Sequence, residues 1–312
     1  MKSLLSWLVL IVSIAVLISS CAKSDDSKTA STDNTTSSSD DSSDNSTSTS
    51  DDSSDNSTSA SDNSSSSSSS SSGSGVFVGV GNSGNIIRST DNGSSFDNVT
   101  SPTANYLYEV TFGNNTFVGV GRSGNIVRST DNGSSFDNVT SPTAINLFGV
   151  TFGNNTFVGV GSSGNIVRST DNGTTWDNAT SSTANTLRGV TFGNNTFVAV
   201  ADSGNIVRST DNGSSWDNVT SPTANYLYEV TYGNNTFVAS GRSGNIVRST
   251  DNGSSWDNVT SPTTTNLSKV TFGNNTFLAV GNNGNIVRST DNGSSFDNAT
   301  SPTAIHLNGV TF

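Results

Sequence analysis

An eight-residue segment recurs every 40 residues along this chain, six times in all. Its copies begin at Ser89, Ser129, Ser169, Ser209, Ser249 and Ser289, and the first copy reads Ser-Thr-Asp-Asn-Gly-Ser-Ser-Phe. A fixed period of this length is typical of an array of identical supersecondary units, in which neighbouring copies bury a continuous core. The period therefore constrains the architecture strongly, whereas nearly identical copies say little about a ligand.

One repeat, residues 107–146, contains four short runs rich in β-forming residues. We name them strands A (107–112), B (116–121), C (125–130) and D (135–140). Each run is bounded by Gly, Asn or Pro, which are typical of turns, and no segment after Cys21 shows the period of a helix. Four-stranded antiparallel units at this period predict the blades of an all-β protein, a β-propeller.

The arrangement of the runs predicts six blades in residues 76–312. This region opens with a strand B at 76–78 and ends with a strand A at 307–312, so it contains six B–C–D sets and six A strands. Pairing 307–312 with the first B–C–D set would close the ring and leave no open sheet edge. The alternative is that the chain is truncated inside a repeat.

The recurring pattern Ser-x-Asp-x-Gly-x-x-[Phe/Trp] resembles the Asp-box, or BNR repeat, found in sialidases, sortilin-type receptors and photosystem II assembly-factor propellers. The longer pattern, Leu-x-x-Val-Thr-Phe followed by Phe-Val-x-Val-Gly-x-x-Gly-x-Ile-x-Arg-Ser-Thr-Asp, is most similar to the last group. The resemblance covers residues 76–312. It implies that the box is a structural C–D hairpin turn without a catalytic role. Propellers of that family have seven blades, whereas this chain predicts six.

The residues of the box suit such a turn. Its aspartate can accept backbone N–H bonds, its Asn-Gly pair tolerates positive φ, and its aromatic ring is expected to pack inward. The aspartates are Asp91, Asp131, Asp171, Asp211, Asp251 and Asp291, and the rings are Phe96, Phe136, Trp176, Trp216, Trp256 and Phe296. A calcium loop is the alternative, but the box lacks alternating oxygen ligands and a final bidentate glutamate. We therefore expect no metal and no cofactor.

The first 75 residues predict a lipid-anchored tether. Residues 1–21 contain Lys2, an apolar run too short to span a bilayer, and Ser19-Ser20-Cys21, which is typical of a secretory signal. Ile18 to Cys21 resembles a bacterial lipobox, so lipidation of Cys21, the chain's one cysteine, would anchor the protein in the membrane of the cell envelope, and the outer membrane is favoured. An ordinary signal peptide is the alternative. Residues 22–75 are almost wholly Ser, Asp, Thr and Asn and predict a disordered linker.

Charge argues against one class of partner. The formal net charge is −12, and most of it comes from aspartates of the linker. Nucleic acid binding needs a basic face, so no nucleic acid partner is expected.

Differences between the six copies gather in two connections. They occupy the D–A connection with the start of strand A, and the B–C turn, which emerge on the same rim of a blade. We call this rim the variable face. Its candidate binding residues are Tyr106, Tyr108, Glu109, Arg122, Phe148, Arg188, Asp202, Tyr226, Tyr228, Glu229, Arg242, Lys269 and His306. Such residues on loops of a rigid scaffold favour recognition, and drift between duplicated copies is the alternative.

These observations favour a non-enzymatic, membrane-anchored, monomeric propeller that binds a protein or glycan of the envelope or exterior. An assembly or stability factor for a membrane complex is the alternative that the family resemblance implies. A sialidase-like hydrolase would need converging arginines and a Tyr–Glu pair. The strand C arginines recur once per blade, which indicates a structural role, and Glu109 and Glu229 are predicted on opposite sides of the ring.

Overall fold

The computed structural model describes residues 69–71 and 75–312. The signal segment 1–21 with Cys21, and residues 22–68 of the predicted linker, lie outside the described residues. The described chain forms six four-stranded antiparallel sheets, each with its strands in sequence order. The predicted all-β class, built of four-stranded blades, is confirmed.

The strands have the following bounds. Blade 1 contains β1 (Ser69–Ser71), β2 (Phe77–Val80), β3 (Ile86–Ser89) and β4 (Asp97–Val99). Blade 2 contains β5 (Leu107–Gly113), β6 (Thr116–Gly121), β7 (Ile126–Ser129) and β8 (Asp137–Val139). Blade 3 contains β9 (Leu147–Gly153), β10 (Thr156–Gly161), β11 (Ile166–Ser169) and β12 (Asp177–Asn178). Blade 4 contains β13 (Leu187–Gly193), β14 (Thr196–Ala201), β15 (Ile206–Ser209) and β16 (Asp217–Val219). Blade 5 contains β17 (Leu227–Gly233), β18 (Thr236–Gly241), β19 (Ile246–Ser249) and β20 (Asp257–Val259). Blade 6 contains β21 (Leu267–Gly273), β22 (Thr276–Gly281), β23 (Ile286–Ser289) and β24 (Asp297–Asn298).

A single 3-10 turn joins strands B and C in every blade. These turns are Asn82–Gly84, Arg122–Gly124, Ser162–Gly164, Asp202–Gly204, Arg242–Gly244 and Asn282–Gly284. The strands A of successive blades lie side by side, from β5 through β9, β13 and β17 to β21. The blades are therefore arranged around a common channel that the A strands line.

A register shift recurs at the start of strand A. In blade 2, Leu107 lies opposite Gly121 and Glu109 lies opposite Val120, which leaves Tyr108 as an extra residue between them. The same shift occurs in blades 3 to 6. A bulge of this kind interrupts the alternation of a strand and re-aims its side chains. The bulge lies where strand A meets the variable face.

The hydrophobic core lies between blades rather than within one blade. One buried cluster joins Val118, Val120 and Ile126 of blade 2 to Leu147, Phe157 and Trp176 of blade 3. Four equivalent clusters occupy the other junctions between consecutive blades. Stability of the described chain is therefore a sum over neighbouring pairs, as in other repeat proteins.

The strand C arginines join each blade to the next. Arg128 Nε donates to the carbonyl oxygen of Asn172 at 2.7 Å, and Asn172 Nδ2 donates back to Thr116 Oγ1 at 2.6 Å. Equivalent arginine bonds start from Arg88, Arg168, Arg208 and Arg248. Each arginine thus points toward a neighbouring blade, so these side chains do not converge on one site.

The strand pairing at the two ends of the blade array differs from the predicted ring closure. We expected 307–312 to pair with strand B of blade 1, but in the described structure β1 pairs with that edge of β2 and 307–312 form no strand. The linker prediction is corrected here as well, because Ser69–Ser71 belongs to a sheet. Backbone hydrogen bonds need no particular side chain, so even a serine run can pair with an open strand edge.

The aromatic ring of the first box also departs from the prediction. Phe136, the equivalent ring of blade 2, is 5% exposed, and it packs against Val76 and Val78 of blade 1. Phe96 is 45% exposed instead of packed inward. The rings of blades 2 to 6 are each covered by strand B of the preceding blade. No blade precedes blade 1 in the described structure, so Phe96 lacks this cover.

The Asp-box is a dense hydrogen-bonded turn. Asp131 Oδ1 accepts bonds from Ser129 Oγ at 2.8 Å and from the Ser135 N–H at 3.0 Å, and Oδ2 accepts from Ser135 Oγ at 2.6 Å. Asn132 and Gly133 have φ values of 62° and 78°. Although partial burial opposes the effect, these hydrogen bonds lower the pKa of Asp131 to about 2. The same causes lower the pKa of the five equivalent aspartates.

This shift predicts acid sensitivity of the hairpins. A carboxyl whose folded pKa lies below its unfolded value of about 4 stabilises the fold above that value, and the stabilisation is lost as the pH falls toward the folded pKa. Because these aspartates are largely exposed, each contributes little and the six act together. We expect the urea midpoint of unfolding to fall steadily between pH 4 and pH 2. An Asp171→Asn/Asp211→Asn variant should show a smaller decline, and an equal decline in both proteins would contradict the assignment.

Candidate binding face

Backbone hydrogen bonds bring the two variable connections of each blade together. The Arg122 N–H donates to the Tyr106 carbonyl at 2.8 Å, and the Arg242 N–H donates to the Tyr226 carbonyl at 2.8 Å. In blade 4 the Asp202 N–H donates to the carbonyl of residue 186 at 3.0 Å. The B–C turn and the D–A connection thus form one continuous surface in each of these blades.

Aromatic and cationic side chains of neighbouring blades contact one another on this surface. The rings of Tyr108 and Phe148 lie 5.3 Å apart between centroids. The Arg188 guanidinium lies 5.6 Å from the centroid of Tyr228 and 5.8 Å from that of Tyr226. We call the row Tyr108, Phe148, Arg188 and Tyr228, contributed by blades 2 to 5, the aromatic arc. Cation–π geometry of this kind holds a guanidinium over a ring face.

Two further charged residues fix the blade 5 end of the arc. Arg242 lies 5.7 Å from the Tyr226 ring centroid. Arg188 forms an ion pair with Asp202, in which its Nη2 donates to Oδ2 at 3.1 Å. Arg188 is therefore held between a carboxylate and two rings, which orders a side chain that would otherwise lose much rotamer entropy on binding a partner.

Burial raises the pKa of Tyr228, while the nearby charges of Arg188 and Arg242 oppose the shift. Burial also raises the pKa of Tyr108. Both hydroxyls are therefore protonated at neutral pH and can donate as well as accept hydrogen bonds. The face thus presents neutral aromatic and positively charged groups side by side.

Three of the predicted binding residues lie in the channel instead of on the variable face. Lys269 Nζ donates to Glu109 Oε1 at 3.0 Å and also contacts Glu229 Oε2, so one ammonium bridges carboxylates of blades 2 and 5. Glu109 and Glu229 come from blades three repeats apart, as the predicted opposite positions require, yet both carboxylates reach the same ammonium. The A strands approach closely at the axis, and side chains three blades apart share one partner. We call Glu109, Glu229 and Lys269 the channel triad.

Two glycines leave room for the channel triad. Gly149 and Gly189 occupy the equivalent strand A positions in blades 3 and 4. A Cβ atom at Gly189 would lie 2.8 Å from Glu229 Oε1, and one at Gly149 would lie 3.3 Å from Glu109 Oε2. The Val150 N–H also donates to Glu109 Oε2 at 3.0 Å. Small residues in two blades therefore allow large ionic ones from three others to meet.

Burial raises the pKa of Glu229 to about 7, an effect that Lys269 opposes and Glu109 reinforces. Burial acts against the charge of Lys269, but the attraction of both carboxylates raises the pKa of its ammonium above the ordinary value. The lysine is therefore charged at neutral pH. One ammonium faces two carboxylates. Glu229, the more buried of the two, is therefore the group that takes up a proton most readily.

His306 has a local structural contact. Its Nδ1 accepts a hydrogen bond from the Asn283 N–H at 3.3 Å. The side-chain oxygens of Asn146 and Asn266 accept the equivalent bonds from Ser123 and Ser243. His306 thus occupies a repeated position that links one blade to the B–C turn of the preceding blade.

Within residues 69–71 and 75–312 no three His, Cys, Asp or Glu side chains lie close enough together to hold a metal ion. Among the same residues there is no helix with the length and apolar character of a membrane span.

Residues 156–290 match a family described as photosynthesis system II assembly factor YCF48. Among solved structures, "YCF48 bound to D1 peptide" is 18% identical with a TM-score of 0.61, covering 74% of this chain and 79% of that one. "YCF48 from Cyanidioschyzon merolae" is 18% identical with a TM-score of 0.60, covering 75% and 85%. The computationally designed Ika8 protein is 11% identical with a TM-score of 0.60, covering 74% and 73%.

No curated protein matches the chain significantly. At such identities the solved structures establish the fold alone, whereas the family match rests on the repeats themselves. The chain is accordingly a β-propeller built of Asp-box (BNR) repeats similar to those of the photosystem II assembly factor YCF48.

Proposed function

We propose that this protein is a non-enzymatic factor that assembles or stabilises a membrane protein complex by binding a segment of a partner protein on its variable face. The family match to an assembly factor supports the role, and one solved structure of similar fold is YCF48 bound to a D1 peptide. The aromatic arc is the observation that carries the proposal for this chain. Tyr and Arg are among the residue types that dominate binding energy at protein interfaces, and Phe is enriched in such interfaces.

The N-terminal segment fits the same role. We propose that Cys21 carries lipid and anchors the protein in the bacterial envelope, and that the polar linker lets the propeller reach its partner. A chain of about 50 flexible residues has a root-mean-square reach of roughly 40 Å. Such a reach would place the variable face beside a membrane-embedded complex rather than fixing it at the bilayer surface.

A pull-down from native membranes tests the binding role. The full chain serves as bait beside a Tyr108→Ala/Arg122→Ala/Tyr228→Ala/Arg242→Ala variant. The matched control is Ser134→Ala/Ser214→Ala/Ser254→Ala/Ser294→Ala, whose exposed side chains lie in the C–D turns on the opposite rim. We expect the variant of these four variable-face residues to lose at least ten-fold of its recovered partner while the control keeps it. Equal recovery by all three proteins would show that the variable face is not the binding surface.

A further inference from the structure

Blades 2 and 5 carry two copies of one surface cluster. Both copies read Asn-Tyr-Leu-Tyr-Glu at the start of strand A and Gly-Arg-Ser-Gly at the B–C turn. We call Tyr106 and Tyr108 the blade 2 tyrosine pair, and Tyr226 and Tyr228 the blade 5 tyrosine pair. The same residues therefore occur twice on the variable face, beside different neighbours.

The backbone holds the two pairs in the same geometry. The N–H groups of Arg122 and Arg242 each donate at 2.8 Å to the carbonyl of the first tyrosine of their own pair. In both blades the leucine between the tyrosines lies opposite the glycine that precedes the arginine, and the same register shift follows. All four rings are half-buried at the surface. A group that fits one pair therefore fits the other in shape.

The blade 5 pair holds a guanidinium. The Cζ atom of Arg188, from blade 4, lies 5.6 Å from the Tyr228 ring centroid and 5.8 Å from that of Tyr226. Asp202, in the B–C turn of blade 4, accepts hydrogen bonds from Arg188 on both carboxylate oxygens. A guanidinium can stack on rings and pair with a carboxylate at once, because it is planar and less strongly hydrated than an ammonium. The preceding blade thus supplies this pair with an arginine and its counter-ion.

The blade 2 pair has the same rings without such an arginine. Among the described residues no cation lies over the Tyr106 or Tyr108 ring. Asn82 of blade 1 stands where blade 4 has Asp202. Phe148, whose ring lies 5.3 Å from that of Tyr108, belongs to the following blade. It therefore does not occupy the approach that the preceding blade uses in blade 5.

Charge decides what must accompany an arginine at the blade 2 pair. Near the blade 5 pair, Arg188 and Arg242 are partly balanced by Asp202, which leaves one net positive charge. Near the blade 2 pair, Arg122 alone contributes one positive charge. A second cation without a counter-ion would be repelled by Arg122. An arginine that brings its own carboxylate adds no net charge and reproduces the set of groups found at blade 5.

We propose that the blade 2 tyrosine pair binds an arginine of the partner segment together with an acidic side chain of the same segment, as the blade 5 pair binds Arg188 with Asp202. The inference rests on the proposed function, because the segment is the one that the variable face captures. Residues i and i+2 of an extended segment point to the same side, so an Arg-x-Asp or Arg-x-Glu sequence presents both groups together. The guanidinium would contact the two rings, and the carboxylate would pair with it beside Arg122.

Fluorine NMR of the full chain in detergent, labelled with fluorotyrosine, tests the site. The chain has five tyrosines, and single Tyr→Phe variants assign their signals. The probe is the acetylated and amidated peptide Gly-Arg-Ser-Asp-Gly, and the matched controls are Gly-Lys-Ser-Asp-Gly and Gly-Arg-Ser-Asn-Gly. We expect the probe to shift the signals of the blade 2 pair in the wild-type chain. Both control peptides should bind at least three-fold more weakly.

Two variants make the outcome decisive. Tyr106→Leu/Tyr108→Leu keeps apolar side chains but removes the ring faces, and it should bind the probe at least ten-fold more weakly, measured on the signals of the peptide. Arg188→Ser/Asp202→Ser removes the guanidinium from the blade 5 pair, so this variant should bind a second peptide and shift the signals of that pair as well. Unchanged signals of the blade 2 pair overturn the proposal, whether or not the blade 5 pair of this variant responds.

Failure of this site and failure of the proposed function are distinguishable. The binding role stands and the arginine site is wrong if the four-residue variant loses a partner in the pull-down while the peptide leaves the blade 2 pair unchanged. If the peptide binds the blade 2 pair but all three proteins of the pull-down recover the same partners equally, the pair binds arginine and its role in capturing a partner is wrong.

Discussion

A Lys269→Met variant is expected to lose about 3–5 kcal/mol of unfolding free energy at pH 8, because it leaves Glu109 and Glu229 facing each other without a cation. The side chains of these two carboxyls are 17% and 9% exposed. Water therefore screens their repulsion poorly. Methionine keeps the volume of the lysine stem, so the loss reports charge rather than a cavity.

The loss should depend on pH with a defined sign. In the variant, the ammonium that opposes the effect of burial is gone, so the pKa of Glu229 rises further above its unfolded value of about 4.5. A group with a raised folded pKa stabilises the fold fully below its unfolded pKa, and that contribution disappears as the pH rises through the folded pKa. The wild-type chain has the same sign in weaker form, because the pKa of Glu229 is already raised to about 7. The difference between variant and wild type should therefore shrink from pH 8 to pH 5.

Urea unfolding followed by tryptophan fluorescence at pH 5 and pH 8 measures both quantities. The charge-balanced variant Lys269→Met/Glu109→Gln/Glu229→Gln should recover most of the lost stability at pH 8. Arg122→Met, which removes an exposed cation from the variable face, is the matched control and should change the free energy by less than about 0.5 kcal/mol. An equal loss at both pH values, or no recovery in the balanced variant, would show that the channel triad is not electrostatically coupled.

The blade pattern could be predicted from the sequence because its signals are local. Turn residues recur at Asn114-Asn115 and at Asp131-Asn132-Gly133, and strands of alternating apolar residues lie between them. A 40-residue period then forces each copy to bury its face against the next. The described strands B to D agree with the predicted runs to within about two residues.

The channel triad could not be predicted in the same way because it depends on curvature. Contacts between blades 2, 5 and 6 follow from how tightly five junctions bend the array, and no local sequence signal reports that angle. One signal was present, however. Equivalent positions in the repeats read Glu109, Gly149, Gly189, Glu229, Lys269 and Gly309, so this column contains only charged residues and glycine. A column of this composition indicates a crowded axis, whereas drift would not favour glycine beside paired charges.

The prediction that Phe96 packs inward is wrong for a different reason, the missing neighbouring blade. A pair of equivalent substitutions can measure what that blade contributes. We expect Phe136→Ala to cost about 3–5 kcal/mol and Phe96→Ala about 1 kcal/mol or less, although both remove the same ring from the same repeat position. Phe136 is 5% exposed, whereas Phe96 is 45% exposed because no strand B covers it. The identical substitution in adjacent blades isolates the contribution of the neighbouring blade.

Urea titration of the two variants beside the wild-type chain measures both losses. The Phe96→Ala loss should stay small, because the ring already contacts water. Unfolding of a repeat array can proceed blade by blade, so circular dichroism and tryptophan fluorescence should both be followed. Equal losses for the two variants would mean that the ring of Phe96 is as well covered as that of Phe136, which would contradict the difference between the two blades.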